Sequence, residues 1–533
     1  MAFEVLLALT ALIGYLLYKW AQPPVGYFLK RGVVHEAPVP LLGNIPLPML
    51  FGKGSYPKQS IAVHMRLKQH KLYGVFSMRD PLLYIADPEL IRQVGIKSFE
   101  NFTNHRKGIS DAGTDSSSLL SKSLLSLRDR RWKQMRNTLT PSFTSLKIRL
   151  MFELIQACNV EAVAYLERKL AEDGATELEL KDFFTRYTND VIATAAFGIQ
   201  VNSFKDPNNE FFTIGQQVSQ FSIWVILKVM LFIFLPKLMN FLRVPVMDMN
   251  NIDYFKKLVF GAIEHRKEHN IIRPDMIQQL MEAQRKFREE QEASQETTTQ
   301  EDRAEFNDED LLAQCLLFFS AGFETVATCL SFTSHELLMN PEVQDKLYEE
   351  IMATEEQLGG KPLDFDTLMG LKYLDCVVSE SLRMWPPAIV LDRMCGSDFQ
   401  LRDEEGNLVV ELKQDDLINI PVIALHHDPD NFPQPELFRP ERFDDDHKHE
   451  IKPFTYLPFG IGQRSCIGNR MALMEVKALL YRLVLRFRLE PAERTTTDMM
   501  GSIAGFHMMP RELFWCKLVA RNGQDGEVNA LEN

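Results

Sequence analysis

The stretch that decides the fold reads Pro458 Phe459 Gly460 Ile461 Gly462 Gln463 Arg464 Ser465 Cys466 Ile467 Gly468, and a helical pattern begins at Asn469. Glycines before and after the cysteine let the backbone turn tightly and come close to a flat group. A thiolate in such a loop can accept backbone N–H hydrogen bonds, and the N-terminus of the following helix favours its negative charge. The planar fork of Arg464 suits a carboxylate nearby. A buried structural cysteine beside a glycine-rich turn is the alternative interpretation.

The loop resembles the haem-binding segment of the cytochrome P450 family, FxxGxRxCxG, with every fixed position present. The resemblance implies haem b as cofactor, with Cys466 as the proximal axial ligand whose electron donation favours O–O cleavage. Phe459 would pack near the sulfur, Gly462 would let the backbone approach the haem, and Arg464 would bind a propionate. The implied fold is mostly α with a small β region toward the N-terminus, a single haem domain behind a membrane anchor helix.

A second motif, Ala321 Gly322 Phe323 Glu324 Thr325, lies within the apolar helical stretch from Leu311 to Leu337. Glycine inside a helix costs stability, and local widening of the helix where a ligand approaches is one reason for it. A hydroxyl beside a carboxylate can deliver protons to bound dioxygen. By resemblance this is the distal helix, in which Thr325 gates oxygen protonation and Glu324 belongs to the relay. Relatives that only rearrange peroxides can lack the threonine, so its presence favours an oxygenase.

Glu380 and Arg383 are three residues apart, on one helical face, and so able to pair. In the family such an ExxR motif forms a buried network with a downstream arginine, here Arg442. We therefore predict a structural role in supporting the cysteine loop. A little further along, Arg393 matches a family position that contacts a propionate.

Trp132 and Arg136 also share a helical face, and they match the family's WxxxR propionate clamp. The surrounding stretch is basic and includes Lys122, Arg128, Arg130, Arg131 and Lys133. Such a face suits docking of an acidic electron donor, although a solvated helix face has the same composition. By resemblance the donor is NADPH–cytochrome P450 reductase, with cytochrome b5 as a further partner, because the chain has no GxGxxG or Walker-type loop of its own.

Composition excludes several classes of protein. A net charge of −13 argues against nucleic acid as the main partner, since phosphate binding needs a basic face. Seven scattered cysteines, without CxxC or zinc spacing, fit a reducing compartment. The length of 533 residues alone predicts three or four domains. The resemblance, which runs from Ala37 to the end of the chain, overrules that count.

The N-terminus carries an uncharged run from Val5 to Tyr18. A cleaved signal peptide has a similar appearance, but three features favour a retained anchor. Glu4 replaces the usual positive charge, no small-x-small cleavage site follows, and basic residues stand after the run, as on the cytoplasmic side of a membrane. We predict an anchor over residues 1–20, a stiff proline-rich extended lead over 21–46 and the haem domain over 47–533. The implied location is the endoplasmic reticulum membrane, with the catalytic domain facing the cytosol.

Three further segments carry structural expectations. The alternating stretch from Tyr73 to Asp87 predicts a hairpin with its turn at Asp80 and Pro81, and the pattern from Ser126 to Met339 is mostly helical. The composition of the polar stretch from Arg285 to Asp310 predicts a solvated linker between helices.

The apolar run from Phe221 to Leu235 is short for a membrane span, and a buried helix or a membrane-dipping surface helix fits it better. Two histidine pairs, His426 with His427 and His447 with His449, could bind metal, but we interpret them as solvated.

The resulting hypothesis is insertion of one oxygen atom from O2 into a lipophilic substrate, a xenobiotic or an endogenous lipid or hormone, with electrons from NADPH. The alternatives are a haem-thiolate peroxide isomerase and a non-enzymatic haem sensor or carrier. By family likeness, residues 102–125, 211–235 and 388–391 line the pocket. The motifs look most like microsomal insect detoxifying enzymes and the mammalian drug-metabolising third family. His105 departs from an arginine that related enzymes can place near a propionate.

Overall fold

The computed structural model of the chain describes residues 21–51, 53–106, 119–173, 176–219, 236–242, 249–293 and 306–521, with a few isolated positions elsewhere. Helices dominate these residues and the strands form small sheets, which confirms the predicted fold class. Most positions of the predicted anchor from Val5 to Tyr18 and of the run from Phe221 to Leu235 lie outside the described residues.

Helices occur along the whole described chain. In its N-terminal half they are α1 (Gly26–Leu29), α2 (Tyr56–Leu67), α3 (Pro88–Arg92), α4 (Asp129–Leu139), α5 (Ser145–Asp173), α6 (Leu180–Ile192), α7 (Glu210–Ser219), α8 (Pro236–Phe241) and α9 (Met249–His269). In the C-terminal half they are α10 (Met276–Ala293), α11 (Asp308–Met339), α12 (Pro341–Leu358), α13 (Phe365–Gly370), α14 (Lys372–Met384), α15 (Val422–His426), α16 (Asn469–Arg486) and α17 (Met499–Ser502).

The predicted hairpin is present as β1 (Leu72–Ser77) and β2 (Asp80–Ile85). Its predicted turn at Asp80 and Pro81 is wrong by two residues, because Asp80 already pairs with Ser77 and the left-handed residue of the turn is Met78. The β2 strand pairs in parallel with β7 (Leu417–Ile420), which pairs with β4 (Leu391–Met394). Half of this N-terminal sheet therefore comes from distant parts of the chain.

The remaining strands form three smaller sheets among the described residues. They are β3 (Thr176–Glu179), β5 (Phe399–Arg402), β6 (Leu408–Leu412), β8 (Phe487–Pro491), β9 (Ile503–Ala504), β10 (Met509–Pro510) and β11 (Trp515–Ala520). The β11 strand lies between β3 and β8, while β5 pairs with β6 and β9 with β10.

The long helix α11 is the axis of the fold. Its start is fixed by a capping box, in which Asn307 and Asp310 each accept a hydrogen bond from the other's backbone N–H. Acidic residues in its first turn also suit the positive end of the helix dipole. Along its length α11 packs against α6, α14 and α16. Among the described residues it is the one helix long and apolar enough to cross a membrane, but 61% of its apolar window is buried inside the protein.

The predicted solvated linker from Arg285 to Asp310 is wrong at both ends. Residues 285–293 belong to helix α10. Asp310 is fully buried and accepts a hydrogen bond from Arg131 Nη2 at 3.1 Å. Its acidic side chain is needed as a helix cap, which composition alone does not reveal. The intervening positions 294–305 lie outside the described residues.

The predicted extended lead is interrupted by the short helix α1. Phe28 in that helix is fully buried, and its ring packs edge-on against Phe76 of β1 at 4.8 Å between centroids. A Cβ on Gly74 would lie 2.7 Å from the Phe28 ring, so the glycine makes room for it. The lead is thus packed against the sheet.

Candidate active site

The cysteine loop is shaped by its glycines, as predicted. Gly460 and Gly462 have φ angles of 79° and 68°, which side chains other than glycine rarely adopt. A Cβ on Gly462 would lie only 2.0 Å from the carbonyl oxygen of Gly95. The loop closes through a 2.8 Å hydrogen bond from the Cys466 N–H to the Phe459 carbonyl. The close approach that Gly462 permits therefore includes another segment of backbone.

Cys466 differs from the other six cysteines, which are buried or half-buried, because its side chain is exposed. The surrounding protein nevertheless desolvates the thiol and raises its pKa. The thiol is therefore accessible in the structure although protein atoms surround it. The N–H of Gly468 and the charge of Arg136 oppose the rise in pKa. Both the predicted backbone donor and the following helix, α16, are therefore present.

Two desolvated arginines near the cysteine loop could bind the propionates of a haem. Arg393 is buried, and its Nη1 donates to the Asp392 carbonyl at 2.7 Å. Its Nε has no hydrogen-bond partner among the described residues. Burial lowers the pKa of Arg393 and of Arg136, and the Cys466 charge opposes this lowering at Arg136. A buried cation with an unused donor fits a haem propionate.

Arg464 is largely occupied by the protein itself. Its Nε, Nη1 and Nη2 donate to the carbonyls of Thr103, Leu124 and Leu127 at 2.8, 3.1 and 2.7 Å. Its guanidinium carbon lies 4.1 Å from the ring centroid of buried Trp132. Two of the five N–H groups of an arginine remain after these bonds. The propionate contact of Arg464 stays a prediction, and its visible role is to hold the segments around residues 103 and 124–127 on the loop.

Trp132 and Arg136 lie on α4, four residues apart, as the WxxxR motif requires. Several basic side chains around them are paired with acidic side chains of the same chain. Ion pairs join Lys122 to Glu309, Arg131 to Asp310 and Lys133 to Glu100. Much of the charge that we assigned to partner docking is therefore already balanced within the chain.

On α11, Ala321 and Thr325 are exposed although the helix on either side of them is mostly buried. They are one turn apart, and the Thr325 hydroxyl donates to the Ala321 carbonyl at 2.6 Å. The helix stays α-helical at Gly322, so local widening is not the reason for this glycine. A Cβ on Gly322 would lie 3.3 Å from Ile192, so the glycine serves close packing against α6.

Glu324 faces a different direction from its neighbour Thr325. Its Oε1 accepts hydrogen bonds from Lys181 Nζ at 2.7 Å and from the Thr328 hydroxyl at 3.3 Å. Sequence reasoning missed Lys181, because 143 residues separate it from Glu324 and no motif marks it.

The predicted ExxR network is confirmed. Arg383 donates to both oxygens of Glu380, at 2.7 and 2.9 Å, and all of these groups are fully buried. Arg442 Nε donates to the same carboxylate at 3.2 Å. Arg383 also donates to the carbonyls of His426 and Pro435, both at 2.8 Å. The network fixes the chain that leads into the cysteine loop.

The interpretation of His426 and His427 as solvated is wrong. Burial lowers the pKa of His426 to about 3 and that of His427 to about 4, so both rings are neutral at pH 7. Their ring nitrogens bond backbone groups, at Arg383 and Leu457 for His426 and at Met384 for His427. The two rings are thus structural, and no signal in the sequence identified them. His447 instead pairs with Asp444 at the surface.

The ring of His105 is paired with Asp392, with 3.0 Å between Nδ1 and Oδ1. The Arg106 N–H donates to the other oxygen of Asp392 at 2.6 Å. Desolvation acts to raise the pKa of Asp392, but the His105 bond and charge and the Arg106 N–H lower it overall, to about 2. This ionised residue directly precedes Arg393 in β4.

A mostly helical fold, with a glycine-built cysteine loop and desolvated arginines beside it, defines a haem-thiolate protein. The family model for cytochrome P450 matches residues 35–516. Cytochrome P450 9c1 of Drosophila melanogaster is 72% identical over 521 residues, covering 98% of this chain and 99% of that protein. Probable cytochrome P450 9h1 of the same fly is 49% identical, and cytochrome P450 3A29 of Sus scrofa is 33% identical over 95% of each chain.

The chain therefore belongs to the cytochrome P450 family. It is a haem-thiolate monooxygenase, and members of the family bind haem through a cysteine thiolate. The family also implies a redox partner and lipophilic substrates.

Proposed function

We propose that Cys466 is the cysteine that ligates the haem iron in this enzyme. The single observation that carries the assignment is its exposed thiol, which lies in a loop built by Gly460 and Gly462 and beside the N–H of Gly468. The haem, when bound, supplies the activation of dioxygen and its insertion into substrate. The N–H of Gly468 and the nearby charge of Arg136 act to lower the pKa of the Cys466 thiol, against the rise that desolvation causes.

Arg393 and Arg136 would hold the propionates. Arg393 brings an unused Nε donor, and both side chains are partly or fully desolvated. Trp132 and Gly462 would position the haem by packing, Arg464 would contribute its two remaining N–H groups, and Phe459 would pack near the sulfur.

Thr325 would hold a proton at its hydroxyl on the distal side, where Thr325 and Ala321 are exposed in a mostly buried part of the helix. Glu324 would supply that proton from water. The substrate would be a xenobiotic or an endogenous lipid or hormone. These roles distinguish an oxygenase from a peroxide isomerase, which has no need of delivered protons.

For the electron donor we propose NADPH–cytochrome P450 reductase, with cytochrome b5 as a further partner, docking on the face around α4. We also propose that residues 1–20 anchor the chain in the endoplasmic reticulum membrane. Residues 21–46 would follow as the lead, and the haem domain, residues 47–533, would face the cytosol. Exposed apolar side chains in the lead, such as Leu29 and Val39, support a position close to the membrane.

The test is the absorption spectrum of the purified, reduced protein with carbon monoxide. The wild type and a Cys158→Ala control should both give the long-wavelength Soret band of a thiolate-bound haem, and Cys466→Ala should lose it. A band that survives in Cys466→Ala would assign the ligand to another residue.

A further inference from the structure

Two histidines lie at the end of helix α9, apart in sequence from the motifs of the haem site. Of the twelve histidines in the chain, His265 and His269 are the two that are separated by four residues. Both lie in the last two turns of α9, where residues at this spacing are neighbours on one face of the helix. Both residues are exposed, so ions in solution can reach the pair.

The two imidazole rings already lie close together. Their centroids are 4.3 Å apart and their planes are tilted by 41°. A Zn²⁺ ion binds imidazole nitrogens at about 2.0–2.1 Å, so two nitrogens on one tetrahedral ion are about 3.3 Å apart. Small side-chain rotations are therefore enough for each ring to present one nitrogen to the same ion.

The ring of His269 is oriented by a hydrogen bond to the backbone. Its Nδ1 lies 2.9 Å from the His265 carbonyl oxygen, which can only accept a hydrogen bond. Nδ1 therefore donates, and in the neutral ring the lone pair is on Nε2. Histidines that bind metals commonly donate their other ring N–H to a carbonyl or carboxylate in this way. His269 thus has an oriented ligand atom, Nε2, before any ion binds.

The end of α9 that carries the pair is held in place by the rest of the protein. Asn270 has a φ angle of 52°, and the Ile271 N–H donates to the Arg266 carbonyl at 3.0 Å, which closes the helix. The buried guanidinium of Arg266 donates to both oxygens of buried Asp275, at 2.7 and 2.5 Å. Because this backbone is ordered already, binding of an ion does not have to overcome its conformational entropy.

The charges and the space around the pair suit a cation. Glu264 and Glu268 directly precede the two histidines and are exposed. Lys267 is two residues from His265 and so lies on another face of the helix. The C-terminal end of a helix dipole also favours positive charge. A Cβ on Gly261, one turn before His265, would meet open space, so no side chain crowds the pair from that side.

The ligand set indicates which ions the pair would bind. Among the residues that the structure describes, no group of three histidine, cysteine, aspartate or glutamate side chains is arranged to hold a metal. The two imidazoles would therefore share the ion with water or with an outside ligand. Imidazole is a ligand that Zn²⁺ and Cu²⁺ favour, and the usual order of affinities places Cu²⁺ above Zn²⁺.

We propose that His265 and His269 form a binding site for one divalent transition-metal ion of the Zn²⁺ and Cu²⁺ type at the end of α9. Each ring contributes one nitrogen, and water completes the coordination. The site is separate from the cysteine loop and takes no part in the oxidation of substrate. The two rings are neighbours only while this helix end is formed, so the bound ion stabilises the folded chain.

Isothermal titration calorimetry with ZnCl₂ on the purified holoenzyme, without a histidine tag, tests the site. The wild type should show one tight site, and His265→Gln and His269→Gln should each bind Zn²⁺ at least about tenfold more weakly. The double variant Lys267→His with His269→Lys keeps the composition of the helix end but moves the second imidazole to about 200° from the first. It should lose the tight site as well. His447→Gln with His449→Gln, which removes another close pair of histidines, should bind Zn²⁺ like the wild type.

Wild-type affinity in the double variant Lys267→His with His269→Lys overturns the proposal, because the spacing of the histidines would then not matter. Loss of the tight site in His447→Gln with His449→Gln overturns it too. The carbon monoxide spectrum of every variant should match that of the wild type, which separates loss of the ion from loss of the haem fold.

A second measurement counts the ligands. With one equivalent of CuCl₂ added to the holoenzyme, electron spin echo envelope modulation, corrected with the copper-free enzyme, reports how many imidazoles bind Cu²⁺. We expect two in the wild type and one in His269→Gln. A single imidazole in the wild type, or two in His269→Gln, overturns the proposal.

Discussion

The ring of His426 joins two segments that meet behind the cysteine loop: Nε2 accepts a 2.9 Å hydrogen bond from the Leu457 N–H, and Nδ1 donates to the Arg383 carbonyl at 3.0 Å. One segment carries the ExxR motif and the other leads into the loop. Because the ring is neutral and fully buried, it can satisfy one donor and one acceptor at once.

Replacing His426 by leucine should leave both backbone groups buried without partners. Each such group costs about 1–3 kcal/mol, so we expect His426→Leu to lower the free energy of unfolding by several kcal/mol. Urea denaturation followed by circular dichroism measures this loss. His447→Leu, which removes a surface histidine paired with Asp444, should have little effect. Equal stabilities of the two variants would contradict the bridging role.

Gly462→Ala should harm the loop more than Gly460→Ala. Both positions have a left-handed backbone, which costs a residue with a Cβ about 1–2 kcal/mol. Only at Gly462 would the new Cβ also meet a backbone oxygen at 2.0 Å, whereas the contacts at Gly460 begin at 3.6 Å. We expect haem content after expression and Tm to fall in the order wild type, Gly460→Ala, Gly462→Ala. The reverse order for the two variants would rule out the contact with Gly95 as the cause.

Glu380→Gln should destabilise the fold strongly, because it leaves two arginines, Arg383 and Arg442, without their carboxylate in a buried site. Removing one partner from a buried ion pair typically costs about 3–5 kcal/mol. The matched control is Asp366→Asn, which breaks a surface pair with Arg149 and should cost less than about 1 kcal/mol. Urea denaturation midpoints of the two variants, measured side by side, compare the two losses. Equal midpoints would contradict the prediction for Glu380.

Glu475 on α16 should make the protein less stable as the pH rises. Its carboxyl is buried, its Oε1 has no partner among the described residues, and burial raises its pKa from 4.5 to about 8. The folded state thus holds a proton that the unfolded chain releases above about pH 4.5. Between these two pKa values, rising pH favours unfolding, and the loss is complete above about pH 8.

Glu475→Gln removes the titration but keeps the shape of the side chain. We expect the variant to be more stable than the wild type at pH 8, by at least about 1 kcal/mol, and the difference to shrink toward pH 5. Urea denaturation at several pH values measures it. A constant difference across this range would show that Glu475 does not titrate on unfolding.

Local patterns in the sequence anticipated much of the site. The loop around Cys466, the helix with Thr325 and the pairs Glu380 with Arg383 and Trp132 with Arg136 depend on spacings of a few residues, which a turn or a helical face fixes directly. The first hairpin and the mostly helical composition were predicted for the same reason. Errors arose where a local pattern had a distant partner, as with Asp310, which caps α11 and binds Arg131.

The sequence by itself determined the class of protein, because ten consecutive residues around Cys466 specify a loop that few other functions require. Only the tertiary structure decided which groups surround those motifs. Lys181 reaches Glu324, and His426 reaches Leu457, across 143 and 31 residues of chain. Two strands from the C-terminal half complete the N-terminal sheet. Contacts of this kind form when apolar surfaces pack in three dimensions, and no periodicity along the chain encodes them.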